Sequence, residues 1–276
     1  GIPPTTQQYL NVGITNVSDG NLPAFNSALA TAGVTNTSVS NPAQIQALVN
    51  VYRSILAAAD GVDNIANADN MIASDYAVIG IAGVDSEVKR SLLGDVIDKK
   101  QSTSVDTAPK VQALADAVAA VMNVAKGSGT AVTEAQMQAL GINLTGVTYF
   151  SKVITAIAAT NPNGSGVSTV EALQGVINNV IGSANTALQV IVSFAQANTA
   201  SAPATPVPGV TVPDATTYAN AGVLDVSNNN VAAINDALMT LAVDGSSVGT
   251  TVKLQAIINS YNKLLALADG TANNAS

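Results

Sequence analysis

Oxygen-bearing side chains crowd one short stretch of the sequence, in positions that can hold a metal ion. Asp60, Asp63 and Asp69 lie close together there, and asparagines alternate with them. Carboxylate and amide oxygens are the ligands that Ca²⁺ prefers in proteins, but the spacing does not match the calcium loop of an EF-hand. Two interpretations stay open, a calcium site and a solvated polar linker.

A second cluster is basic and can attract an anionic partner. It consists of Lys89, Arg90, Lys99 and Lys100, in a chain with ten basic and eighteen acidic residues. Acidic residues at 87, 95 and 98 lie among these bases, a pattern typical of a solvated helix face with local ion pairs. The functional alternative is a docking patch for an acidic surface of a neighbouring subunit.

The composition lacks most of the side chains that enzymes use. The chain contains no His, no Cys and no Trp. His and Cys supply the usual proton shuttles, thiol nucleophiles and transition-metal ligands. Carboxylates such as Asp95 and Asp98 have no evident catalytic partner in the sequence. We therefore predict that the chain is not an enzyme and uses no cofactor, apart from the Ca²⁺ considered above.

Charge and hydropathy narrow the class of partner. A net charge of −8 disfavours nucleic acids and anionic membranes. The sequence has no uninterrupted apolar run of the roughly 18 residues that a membrane span needs, so we expect no membrane insertion. Only 10% of residues are charged and 47% are hydrophobic. This balance predicts that part of the apolar surface is covered by other repeats or other chains.

One motif recurs four times along the chain. It reads VSNPAQIQALV from Val39, VDTAPKVQALA from Val105, VSTVEALQGVI from Val167 and VGTTVKLQAII from Val248. Each copy contains a glutamine, and a glycine precedes each glutamine at a nearly constant distance. The glycines are Gly13, Gly80, Gly141 and Gly222, and the glutamines are Gln46, Gln112, Gln174 and Gln255. Similarity at a fixed long period indicates an array of modules.

Each module is predicted to contain three helices. The first is short and ends at the repeated glycine, which suits a left-handed helix end. The second places Leu22, Phe25 and Leu29 at helical spacing. The third begins after Asn41, a good N-cap, with Pro42 at the first helical position. The repeated glutamine lies one turn into this third helix, so we predict that it satisfies backbone groups freed at the glycine turn.

The repeat fixes the predicted domain organisation. The modules span 1–72, 73–132, 133–198 and 216–276, and a proline-rich linker at 199–215 precedes the last. The predicted fold class is all-α, a tandem array of four small three-helix-bundle modules. Bundles this small bury too little surface to be stable alone, so neighbours are expected to share the core. We expect the third and fourth modules to be the least tightly coupled.

Two pairs of segments carry a resemblance to a known class of protein. LPAFNSALATAG with NPAQIQALVNVYRSILAAADG, and VAAINDALMTLA with KLQAIINSYNKLLALADG, resemble the alanine-rich helical repeats of very large bacterial surface adhesins. They are more distantly similar to the albumin-binding three-helix module of Gram-positive surface proteins. The resemblance covers all four modules, although the second has Val118 where the first has a tyrosine. It implies an extracellular, multi-module, non-catalytic protein at the bacterial cell surface.

These observations predict a structural or adhesive role, in one of three forms. In the first, the chain is a spacer within a giant adhesin, and its end, ALADGTANNAS, reads as a repeat interrupted at its linker. In the second, it is a complete subunit that assembles into a surface layer (S-layer), sheath or filament. In the third, it binds a host protein, as albumin-binding modules do. The expected partners are accordingly other copies of the chain, neighbouring repeats, or a cell-surface or host protein.

Overall fold

The fold is all-α, as the sequence predicts. The computed structural model describes residues 2–62, 71–199 and 205–268. These ranges contain twelve α-helices and two short 3₁₀ turns, and their only extended pairing is an isolated bridge between Asp60 and Gln101. The first six helices are α1 (Thr6–Asn11), α2 (Leu22–Leu29), α3 (Pro42–Ala58), α4 (Ala73–Val78), α5 (Glu87–Asp98) and α6 (Ala108–Ala125). The other six are α7 (Glu134–Ala139), α8 (Phe150–Ala158), α9 (Val170–Thr199), α10 (Ala215–Asn220), α11 (Val231–Leu238) and α12 (Thr251–Leu267).

Helix lengths follow the sequence repeat. A six-residue helix, a helix of 8 to 12 residues and a helix of 17 or more residues succeed one another four times. Local signals set several of the starts. The Asn41 side chain accepts a hydrogen bond from the Gln44 N–H ahead of Pro42, and Thr133 and Gln136 form a reciprocal capping box. We refer to the four helix triplets below as the first to fourth repeats.

The chain divides into two compact units, and the first holds residues 1–145 and 150–177. Within it, α3 packs against α2 of its own repeat and against α4 and α5 of the next. Helix α6 likewise contacts α5 in its own repeat and α7 and α8 in the third. Phe25 and Tyr52 meet edge to face in this core, with ring centroids 6.2 Å apart. The third helix of a repeat therefore joins two successive repeats in one core.

The second unit holds residues 146–149 and 178–276. Its core forms where the C-terminal part of α9 meets α10, α11 and α12. The largest contributors to this core are fully buried, namely Ile191, Phe194, Tyr218, Leu238 and Ile258. Valines at 210 and 226, in the segments flanking α10, pack against the same core. The proline-containing segment before α10 is therefore partly structural in this unit.

The unit boundary differs from the predicted module boundaries. The division falls within α9, between Ile177 and Asn178, and not in the linker at 199–215. Helix α9 is also 30 residues long, whereas α3 and α12 each have 17. The residues at 133–198 are accordingly shared between the two units. The division into four three-helix modules stays a prediction from the sequence.

Candidate functional site

The four repeated glycines end the first helix of each repeat. Gly13, Gly80, Gly141 and Gly222 have φ angles of 81°, 77°, 87° and 78°, which are left-handed and suit glycine. In the first repeat the Gly13 N–H donates to the Leu10 carbonyl at 2.9 Å, and the Ile14 N–H donates to the Tyr9 carbonyl at 3.0 Å. The same two bonds recur at the other three glycines, which makes each turn a Schellman motif. The predicted left-handed helix ends are thus present.

The residue after each of these turns is held by the repeated glutamine. The Gln46 side-chain oxygen accepts from the Thr15 N–H at 2.8 Å, and its amide nitrogen donates to the Thr15 carbonyl at 3.3 Å. The corresponding distances are 2.8 and 3.2 Å for Gln112 with Ala82, 2.8 and 3.0 Å for Gln174 with Asn143, and 2.7 and 3.2 Å for Gln255 with Leu224. We call this pair of bonds the glutamine clamp. One side chain thereby satisfies both backbone groups of the residue leaving the turn.

In the first, second and fourth repeats, the glutamine also contacts a polar residue one turn further along the third helix. The glutamine amide nitrogen donates to Asn50 at 3.0 Å, to Asp116 at 2.7 Å and to Asn259 at 2.8 Å. This contact orients the amide so that its oxygen faces the backbone N–H. The glutamines and glycines thus act together as a structural device that ties the first helix of a repeat to the third.

A buried tyrosine network, which the sequence patterns above did not identify, supports the first and fourth repeats. The Tyr218 hydroxyl donates to Asn235 at 2.7 Å, and the Asn235 amide donates to the Pro213 carbonyl at 2.7 Å. The same bonds link Tyr9 to Asn26 at 3.0 Å and Asn26 to Pro4 at 2.8 Å. Burial raises the pKa of Tyr9 to about 12 and that of Tyr218 further. The signal in the sequence was the shared spacing of proline, tyrosine and asparagine in these two repeats.

Arginine takes the place of that asparagine in the second repeat. The Arg90 guanidinium donates to the Met71 carbonyl at 3.2 Å, and Met71 precedes Tyr76 by the same interval as Pro4 precedes Tyr9. Arg90 also pairs with Glu87, at 2.9 Å from its Nε. This pairing lowers the pKa of Glu87, while burial raises the pKa of Tyr76.

The basic cluster is largely engaged inside the second repeat. Lys89 and Arg90 are only 8% and 9% exposed, and Lys89 pairs with Asp85 at 2.9 Å. Lys99 donates to Asp95 at 2.7 Å, and burial lowers the pKa of Lys100. The charged groups of Lys89 and Arg90 thus have partners in their own unit, and the docking patch stays a prediction from the sequence. The sequence pattern of alternating charges had indicated the pairing, but not the burial.

The acidic stretch is described only at its start. Asp60 is exposed, its carboxylate accepts from the Val62 N–H at 2.8 Å, and its carbonyl accepts from the Gln101 side chain at 3.4 Å. Asp63 and Asp69 lie outside the described residues. Among the described residues, no group of three or more acidic side chains is placed to hold a metal ion. The calcium site stays a prediction from the sequence.

Successive repeats meet through a small set of polar contacts around apolar packing. The Tyr52 hydroxyl in the first repeat donates to the Val105 carbonyl in the second at 3.0 Å, and the Ala108 N–H donates to the Ser27 hydroxyl at 2.8 Å. A methyl group added to the α-carbon of Gly80 would lie only 1.8 Å from the Thr31 hydroxyl. The backbone of the second repeat therefore lies directly on the first, and only glycine fits at this point.

Two grooves along α9 are lined by hydrogen-bonding and apolar side chains. One of them has a volume of about 570 Å³. Its wall consists of small polar and apolar side chains, among them Asn178, Ser183, Thr186, Val190 and Thr217. Amides and hydroxyls of this kind donate and accept hydrogen bonds but have pKa values far from neutrality. This lining can form hydrogen bonds with a neutral polar surface.

Helix α9 alone, among the described residues, is long and apolar enough to cross a membrane. Its most apolar 18-residue window has a mean hydropathy of 1.2, and 22% of that window is buried. Core helices meet the same criterion, and α9 supplies Leu173 and Ile177 to the first unit and Ile191 and Phe194 to the second. Each end of α9 therefore contributes side chains to a core, and the absence of membrane insertion stays a prediction from the sequence.

Comparison with protein-family models, curated proteins and solved structures found no match. The resemblance to adhesin repeats therefore stays a prediction from the sequence segments that carry it.

Proposed function

We propose that the chain is a tandem array of four small three-helix modules with a structural or adhesive role. In this proposal it is a non-catalytic, extracellular part of a bacterial cell-surface protein, and it provides spacing, adhesion or self-association. The observation that carries the proposal is the fourfold glutamine clamp. All four repeats use an equivalent glycine and an equivalent glutamine to hold their helices together, which is typical of repeat proteins with a structural role.

The contacts between repeats support the same role. In the first unit the third helix of each repeat packs on the repeat that follows, through α3 with α4 and α5 and through α6 with α7 and α8. A module that shares its core with its neighbours resists extension and shear better than one joined only by a flexible linker. A spacer in a large adhesin requires that property. Binding of a host protein such as albumin is a second candidate, and it comes from the sequence resemblance alone. No contact described above favours it.

Surface exposure on intact cells tests the proposal. Fab fragments raised against the purified chain are expected to label intact cells of the organism that encodes it, and brief protease treatment is expected to remove the label. A cytoplasmic protein of the same organism, probed in parallel, controls for lysis. Labelling that appears only after the cells are broken would overturn the surface assignment.

A second measurement tests the mechanical or adhesive part. Deletion of the coding segment for these residues is expected to reduce attachment of the cells to a surface or to one another. A second strain carries Gln46→Ala, Gln112→Ala, Gln174→Ala and Gln255→Ala together, so that the segment stays in place but its clamps are lost. Attachment that is equal in wild type and both altered strains would reject an adhesive or spacing role.

A further inference from the structure

The first repeat exposes apolar positions that are buried in the other three. Val12, the residue before the repeated glycine, is 52% exposed, and Val39, at the head of the recurring motif, is half-buried. The counterparts of Val12 are 0 to 1% exposed, and they are Ile79, Leu140 and Ala221. The counterparts of Val39 are all 0% exposed, and they are Val105, Val167 and Val248. We call the surface around Val12 and Val39 the leading face.

The fourth repeat exposes the opposite side of the same contact. On α12, Leu264 and Leu267 are 62% and 53% exposed, and Tyr261 is half-buried. In the first repeat the matching side chains of α3 are 0 to 7% exposed, and they are Tyr52, Ile55 and Ala58. In the second repeat the matching side chains of α6 are 0 to 6% exposed, and they are Val118, Val121 and Val124. We call the surface formed by Tyr261, Leu264 and Leu267 the trailing face.

These two faces are the two halves of one contact that already exists inside the chain. Helix α3 of the first repeat is covered by α4 and α5 of the second, and Tyr52 donates to the Val105 carbonyl. Val105 is the counterpart of Val39, and Tyr52 is the counterpart of Tyr261. The leading face of one chain therefore carries the Val39 carbonyl and the apolar side chains that match the surface covering Tyr52 within the chain, and the trailing face of another chain lacks such a cover.

We propose that the leading face of one copy covers the trailing face of a second copy, head to tail. This inference rests on the proposed role as a repeat array, and it names the partner as the chain itself. Tyr261 then donates to the Val39 carbonyl of the next copy, as Tyr52 does to Val105 within the chain. Leu264 and Leu267 fill the positions of Ile55 and Ala58.

The geometry of such a contact sets the form of the assembly. The two faces are different surfaces, so the interface is heterologous, and each added copy leaves one free face at each end. A contact of this kind grows beyond a dimer, into a closed ring or an open chain of copies. A symmetric dimer through two trailing faces would instead stop at two copies.

Sedimentation of purified variants tests the proposal. We expect the weight-average mass of the wild-type chain to rise with protein concentration from 27.5 kDa, without a plateau at two copies. The concentrations run from about 1 μM to about 1 mM, the range of weak protein contacts. Leu264→Glu and Val12→Glu are expected to weaken association at least about tenfold, as the loss of a central interface side chain does. Both positions are exposed, so circular dichroism is expected to show an unchanged fold.

A mixture of the two variants distinguishes head-to-tail contact from any symmetric one. Leu264→Glu keeps its leading face and Val12→Glu keeps its trailing face, so the mixture is expected to form a dimer and nothing larger. Val252→Glu is the matched control. Val252 lies on the same helix and is 80% exposed, its counterparts in the other repeats are exposed as well, and it is expected to leave association unchanged.

Three results would overturn the inference. They are a wild-type chain that stays monomeric over the whole range, a Val12→Glu variant that assembles like wild type, and a variant mixture that fails to form the dimer. The proposed function is judged separately, by labelling of intact cells. A monomeric chain that is labelled at the cell surface would reject only the head-to-tail contact, and an assembling chain found only inside cells would reject only the surface role.

Discussion

Replacement of Gln255 by alanine tests the glutamine clamp most directly. The side chain makes two hydrogen bonds to the backbone of Leu224, at 2.7 and 3.2 Å. A typical intramolecular hydrogen bond contributes about 0.5 to 1.5 kcal/mol net. The clamp lies at the surface, so water replaces part of what is lost, and the greater helix propensity of alanine offsets a few tenths of a kcal/mol. We expect the free energy of unfolding of the second unit to fall by about 1 to 2 kcal/mol.

Two readouts measure this change at different scales. Urea unfolding followed by circular dichroism gives the loss for the whole unit. Hydrogen exchange of the Leu224 amide gives the local loss, because its N–H bonds to the Gln255 oxygen. A loss of about 1.4 kcal/mol corresponds to tenfold faster exchange at that amide when exchange proceeds through local opening.

Two control variants separate the clamp from other effects of the substitution. Gln255→Glu keeps an acceptor for the Leu224 N–H but removes the donor to its carbonyl, so its stability is expected to lie between those of wild type and Gln255→Ala. Gln189→Ala removes an exposed glutamine from α9 and is expected to change stability by less than about 0.5 kcal/mol. If Gln255→Ala proves no more destabilising than Gln189→Ala, the clamp has no role in stability.

Three further predictions concern the helix turns and the tyrosine network. Gly80→Ala and Gly13→Ala both force alanine into a left-handed conformation, which costs about 1 to 2 kcal/mol. Only at Gly80 does the new methyl group also meet the preceding repeat, so Gly80→Ala is expected to have the lower melting temperature. Equal melting temperatures would reject the close contact. Tyr218→Phe leaves the buried Asn235 oxygen without its donor and is expected to lower the free energy of unfolding by about 1 to 3 kcal/mol in urea titrations, whereas no change would reject the network. Tyr9 is expected to ionise near pH 12 in a difference titration against Tyr9→Phe. Because the pKa of Tyr9 is raised in the folded chain, the stability that this residue contributes is present below pH 10 and is lost between about pH 10 and 12. Ionisation of Tyr9 near pH 10 would contradict its burial.

Local signals in the sequence determined the parts of the fold that were predicted correctly. Asn41 and Pro42 start α3 through interactions within one turn, and Gly13 ends the first helix because a left-handed residue is required there. The glutamine was placed correctly because its position relative to the glycine recurs four times, and this recurrence indicated a spatial contact over about 30 residues of sequence. Repetition in this chain thus supplied long-range information that a single motif does not carry.

The parts that were not predicted depend on packing between distant segments. Helix α9 continues past Gly182, where the other third helices have nearly ended, because the residues that follow bury Ile191 and Phe194 in the core of the second unit. Arg90 lies in a pattern of alternating charges that is typical of a solvated face, yet it is buried because Glu87 and the Met71 carbonyl satisfy its guanidinium. Neither outcome follows from local propensity, since each depends on a partner elsewhere in the fold.

The two kinds of repeated contact have different consequences for the first and fourth repeats. The glutamine clamp acts within a repeat, so the first and fourth repeats form it as well as the second and third do. The apolar contact acts between repeats, so Val12 in the first repeat and Leu264 in the fourth have no neighbour to cover them within the part of the chain described. Val12 and Leu264 are both more than half exposed, so the faces around them are available for the proposed head-to-tail contact between copies.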